Sequence, residues 1–282
     1  MLWLLTTLFK LLGYIGLVGL VGVFSRSFVS LAPLRLKQRS SLDMGSLPYV
    51  LAIALSALGY LWMKVSEITG QLLPTSESTE YAHIVLNSAV GDSLKLKILG
   101  CVIVLSLSAA MFVTRRQVWL PVLVVGVMII TSSFALSGHT MTWGRWYQAA
   151  LILHLVAVAL WSATLIYVLL PQWLYRDERL LVVRNYSSVA RWLVLAIVVS
   201  GGYLVVGAYL DPNHDLPGYW FTLGLKISVL VVIFGLIVSH HKWLARSKNS
   251  ADYKIKITNS MRVEIAALLC ILFITANLSE LA

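Results

Sequence analysis

Two of the chain's six histidines fall in one stretch, Ser137–Pro171, SGHTMTWGRWYQAALILHLVAVALWSATLIYVLLP. His154 lies inside an apolar run, where an imidazole needs a hydrogen-bond partner, a water-filled cavity or a metal. His139 precedes that run, and Met141 follows it by two residues. Imidazole and thioether together suit Cu(I) better than zinc, magnesium or calcium. This stretch therefore reads as a copper site, with Met128 one further soft donor if the preceding helix runs regularly to His139. The spacing is equally compatible with His154 bonding a neighbouring helix and His139 lying wetted at the interface. No C-x-x-C or H-E-x-x-H pattern decides between these readings.

The elements that must hold these residues are membrane helices. Of the residues, 59% are hydrophobic and 12% charged, against roughly 25% charged in soluble domains. Apolar runs long enough to cross a hydrocarbon core of about 30 Å recur along the whole chain. The pattern predicts an all-α polytopic bundle, a single transmembrane domain over 1–282, with about eight spans. They cover approximately 4–31, 47–66, 93–113, 117–137, 146–170, 186–210, 218–241 and 259–280. The first is longer than a signal-peptide core and reads as a retained membrane helix. A short helix around Tyr81–Ala89 is expected in the polar excursion before the third.

The loops alternate in charge. Arg35, Lys37, Arg39, Arg115, Arg116, Arg176, Arg179 and Arg184 fall in one set, together with the basic run from Lys242 to Arg262. Glu67, Glu77, Glu80, Asp92, Asp211 and Asp215 fall in the other. The positive-inside rule puts the basic set in the cytoplasm, an N-out/C-out arrangement. His139 and His154 then lie toward the outer face, and the pair His240 and His241 at the inner end of the seventh span. The formal charge of +10 resides in these loops, so no nucleic-acid partner is expected.

On the fifth helix Tyr147, His154 and Trp161 are seven apart and share a stripe. Ser162 and Ala163 would let a neighbouring helix approach, as would Gly201–Gly202 and the row Gly13, Gly16, Gly19 and Gly22. Lys95 and Lys97 are expected to snorkel outward. Lys226 lies about two turns into its span and must snorkel or pair. Glu264, the one carboxylate well inside an apolar run, is expected to meet basic groups at the inner face. Cys101 and Cys270 read as two small buried hydrophobes. The chain has no Walker-type loop and no arrangement for hydrolysis, so no enzyme is expected.

Four segments carry a resemblance. GHT at 138–140 with LHLVAVALW at 153–161 resembles a paired signature of the copper resistance protein D family (CopD/PcoD, YebZ-like inner-membrane proteins). RNYSSVARWLVLAIVVSGGY, WFTLGLKISVL and SMRVEIAALLCILFITANL resemble three later segments of that family in the same order. The likeness is strongest over 135–282. It departs at Leu151, Ser162–Ala163 and around His240–Lys242. The resemblance implies a bacterial inner-membrane protein that moves copper from periplasm to cytoplasm, often with a periplasmic copper-binding partner of the CopC type. It implies His139 and His154 as copper contacts, and Trp161, Lys226 and Glu264 as family-pattern positions. Met141 and Met128 would add soft contacts, Tyr147 would support the stripe, and His240 and His241 are a candidate cytoplasmic exit.

The rival reading is a membrane b-type cytochrome with His139 and His154 as axial ligands of haem b. A third is a membrane chaperone handing on copper, Cu(I) or Cu(II), without transport. Neutral imidazole is the ligating form, so copper uptake into vesicles should be markedly weaker at pH 5 than at pH 7. Uptake undiminished at pH 5 would speak against histidine ligation.

Overall fold

A computed structural model describes residues 2–31, 45–72, 76–114, 120–136, 143–169, 179–211, 217–246 and 251–281. These residues are all-helical, without strands. In chain order the helices are α1 (Leu2–Leu31), α2 (Leu47–Thr69), α3 (Ser76–Leu86), α4 (Ala89–Thr114) and α5 (Leu120–Ala135). They continue as α6 (Arg145–Ala163), α7 (Arg179–Leu210), α8 (Pro217–Arg246) and α9 (Ala251–Leu281). The last turn of α6 widens into a π-helical segment, Thr164–Leu169. Among the described residues seven helices are long and apolar enough to cross a membrane. The polar excursion holds a short helix as its sequence suggests, but α3 lies at Ser76–Leu86 rather than around Tyr81–Ala89, and Ala89 already opens α4.

α5, with 16 residues, spans only about 24 Å at 1.5 Å per residue. Contacts between helix ends nevertheless count it as a crossing. Lys10, near the start of α1, meets Ser279 and Glu280 at the end of α9, so both termini lie at one end of the bundle. An even number of crossings follows, and seven long helices plus α5 supply it. The other end contacts agree. Ser93 Oγ at the start of α4 donates to the Ser133 carbonyl at the end of α5, 2.7 Å away. Ser46 Oγ at the start of α2 meets Ser108 Oγ near the end of α4 at 3.1 Å.

Lipid tails are as apolar as leucine, so packing in a bilayer depends on close backbone approach and polar contacts rather than on escape from water. The α1 glycine row meets this need. A side chain at Gly13 would strike Ser56, one at Gly16 would strike Ile53, and one at Gly19 the ring of Tyr49, all on α2. Gly59 returns the arrangement by receiving Phe9 of α1. Gly100 of α4 and Gly126 of α5 form a second such crossing, filled by Ile130 and Val104. Ser162 and Ala163 are fully buried, and Ala163 packs in the cluster that holds Leu17 and Leu20 of α1.

Two sequence expectations need correction. Lys95 is exposed and pairs with Asp92 at 3.0 Å, but Lys97 does not snorkel. It is 8% exposed and its ammonium lies 4.3 Å from the centre of the Phe134 ring, an aromatic face that partly replaces its lost hydration. Cys101 is buried as expected, whereas Cys270 is exposed on α9.

Near the N-terminal end of α1 lies a shared charge cluster that no local sequence pattern marks. Glu280, with 7% of its side chain exposed, pairs with Lys10 and lies 3.5 Å from Lys64. Lys64 also pairs with Glu67 at 2.8 Å. Lys10 Nζ donates to the Ser279 carbonyl at 2.8 Å, which places a cation on the carbonyls that a helix C-terminus leaves unpaired. Glu280→Ala would leave the Lys10 ammonium without a carboxylate, and Lys64 with Glu67 alone, beside the Tyr60 ring that both overlie. It should lower the melting temperature in detergent by about 5 °C or more. The double variant Lys10→Met/Glu280→Met should recover most of that loss. No loss in the single variant would show the cluster to be without structural weight.

Candidate metal centre

α6 enters the membrane through Gly144, whose φ of 99° is open to glycine at little cost and to other residues only under strain. It delivers Trp143 and the stripe Tyr147–His154–Trp161 onto α7, and all three stripe residues meet that helix as their spacing predicts. Tyr147 stacks on Tyr203 with ring centres 4.5 Å apart and fills the space over Gly207. Trp161, 5% exposed, packs with Ile197, Ile233 and Leu268, tying α6 to α7, α8 and α9. Trp143 Nε1 donates to Asp211 Oδ2 at 2.7 Å, fastening the outer end of α6 to the end of α7.

His154 sits between these anchors. Its Nδ1 lies 3.2 Å from the Ile197 carbonyl and 3.2 Å from Ser200 Oγ. A carbonyl only accepts, and the Ser200 hydroxyl donates to the Ala196 carbonyl. Nδ1 must therefore carry the proton, which leaves the Nε2 lone pair as the ligating face. Nε2 has no hydrogen-bond partner among the described residues. Gly201 makes room for the ring: a methyl group there would lie 3.1 Å from Cε1 and 3.3 Å from Nδ1 of His154.

A cavity of about 460 Å³ opens beside this imidazole, lined mainly by residues of α6, α7, α8 and α9, with Tyr14 of α1 and Phe134 of α5. Its surface is almost wholly apolar, with Tyr14, Thr275 and Ser279 at its polar margin. A smaller space of about 50 Å³ adjoins it and shares His154, Trp161 and Lys226. Lys226 neither pairs nor leaves for the headgroups: it lines both spaces and forms no ion pair among the described residues. Each of the two groups is nine residues into its helix, which sets both about 14 Å below the outer helix ends, near mid-membrane.

Other sequence candidates fall elsewhere. His139 and Met141 lie outside the described residues. Met128 is 39% exposed on α5 and does not line the cavity. His240 and His241 are helical near the C-terminal end of α8. Glu264 is buried, 3% exposed, eleven residues before Thr275 on α9, and does not line the cavity. Of the outer carboxylates, Asp211 is engaged by Trp143 and Asp92 by Lys95. Glu80 is exposed on α3. The side chain of Glu77 and the whole of Asp215 lie outside the described residues. No group of three or more His, Cys, Asp or Glu stands together among the described residues. Sequence reasoning missed Ser200 and Gly201 as the seat of the imidazole, although the SGG triplet opposite a lone intramembrane histidine is a readable signal.

Residues 180–278 match the family model described as copper resistance protein D. The match runs along α7, α8 and α9. It takes in Lys226 and Glu264 and stops short of His139 and His154 in sequence. It supports assigning the chain to that family. No curated protein and no solved structure matches the chain.

The geometry of His154 makes a direct spectroscopic prediction. With ¹⁵N-labelled histidine, and with His154→Ala to assign the signal, His154 should appear as the neutral Nδ1–H tautomer. An Nε2–H tautomer would contradict the arrangement. Gly201→Val should displace the ring and shift that signal while leaving the other histidines unchanged.

Proposed function

From the premise that this is a copper resistance membrane protein of the CopD family, we propose that it takes copper at the outer face of a bacterial inner membrane and passes it toward the cytoplasm. His139 and Met141 receive the ion at the outer mouth, and His154 takes it within the membrane. The observation that carries this reading is the state of His154. Its proton is committed to α7 and its Nε2 lone pair has no partner among the described residues, beside a cavity at mid-membrane depth. A histidine with only a packing role has no use for such a cavity.

In this reading the chain is oriented N-out/C-out, and the outer carboxylates raise the local cation concentration. Met128, exposed on α5, stands outside the inward route, so passage beyond His154 follows the α6–α9 side of the bundle toward His240 and His241. A periplasmic CopC-like protein is the natural donor for such a mouth.

The test is Cu(I) stoichiometry of the detergent-purified protein, for wild type, His139→Ala and His154→Ala. We expect one copper retained by wild type and lost by both variants. Equal binding by all three would sink the assignment. Flux into proteoliposomes then separates a transporter from a chaperone that binds without moving its cargo.

A further inference from the structure

We infer that the copper reaching His154 arrives as a Cu(I) complex carrying its own soft anion, a thiolate or a chloride, and that Lys226 receives that anion. The inference rests on the reading of His154 as a copper contact and specifies the form of the cargo.

Three observations carry it. First, among the described residues His154 is the only side chain lining the cavity with a nitrogen or sulfur donor suited to copper; no Met, Cys, Asp or Glu lines it. Cu(I) in a single imidazole's reach lacks a second donor, and soft donors such as thiolates are the ones it selects. Second, the lining holds one cationic side chain, Lys226, at the same depth as the imidazole and with no ion pair among the described residues. An ammonium repels a bare cation and attracts the anion of a complex, and that interaction is strong in a medium of low dielectric. Third, a cavity of about 460 Å³ is far larger than an ion and falls in the range of small-molecule sites. Its apolar walls favour a complex whose charge is already compensated.

The arrangement assigns roles to each part. The Nε2 lone pair of His154 binds the metal. The anion would remain on the ion and accept an N–H donor from Lys226, which lines the same cavity. One copper–ligand bond breaks as the bond to Nε2 forms: a former thiolate or chloride ligand leaves to solvent, the other anion stays on the ion, and no electron moves.

The experiment measures Cu(I) affinity of the purified full-length protein in three separate media. One supplies copper as its acetonitrile complex without halide or thiol, one adds chloride, and one adds glutathione. Wild type should bind most tightly with an anion present, and X-ray absorption should show one nitrogen plus one sulfur or chlorine neighbour. Whether the sulfur or the chloride medium gives the tighter complex tells which anion serves. Lys226→Leu should weaken binding about tenfold or more in the anion media and leave the acetonitrile medium unchanged or improved. Lys226→Arg should restore it, and unchanged melting temperatures would show that the variants fold. The inference is overturned if wild type binds equally in all three media, or if Lys226→Leu binds as wild type does in the anion media. Copper binding that survives His154→Ala in every medium would instead remove the copper-site reading and this inference with it.

Discussion

The hydrogen bond from His154 Nδ1 to the α7 backbone is the contact on which the rest of the site depends. In hydrocarbon the ring N–H has no water to turn to, so it must find an acceptor on another helix. The Ile197 carbonyl and the Ser200 hydroxyl provide one, and Gly201 provides the space. That contact fixes the tautomer, the ring orientation and the side from which a ligand can approach. It also explains why the stripe on α6 faces α7: Tyr147 against Gly207 and Trp161 against Ile197 hold the helix in the rotation that His154 requires.

The remainder of the bundle serves this geometry at a distance. The α1–α2 and α4–α5 crossings are close packings built on glycine, with little chemistry of their own. The cluster of Lys10, Lys64 and Glu280 joins α1 and α2 to α9. Through α9 it fixes one wall of the cavity, since Thr275, Leu278 and Ser279 line it and Ser279 is also a ligand of Lys10. Polar contacts that look merely structural therefore set where the apolar cavity begins.

Helix number, the α6 stripe and the α1 glycine row were legible because each is a local period: a run of apolar residues, a spacing of seven, a spacing of three. The match over residues 180–278 agrees with the later segments that carried the family resemblance. What the sequence hid depends on distant partners. Lys10 and Glu280 are 270 residues apart, and nothing local marks either as half of a pair. Lys97 resembles a snorkelling lysine until Phe134 is known to lie beneath it. Lys226 presented a choice between snorkelling and pairing, and a third outcome, a cavity lining, appears only when four helices are assembled. His139 and Met141 stay sequence-based candidates, for they lie outside the described residues.

The cavity also has a mechanical side. α7 packs backbone to backbone on α6, and α8 on α9, while α7 and α8 meet through side chains, Ala208 with Tyr219 and Leu223 and Tyr209 with Trp220, so the imidazole rides on one helix pair and the ammonium on the other. Several wall residues at the seam, among them Val198 and Val231, are more than half exposed. The gap between the two groups is thus set by the angle at which the pairs lean together. Hydrophobic mismatch changes helix tilt at modest cost. Bilayer thickness and lateral pressure consequently become variables of the cavity, and its width belongs to the protein and its surrounding lipid jointly.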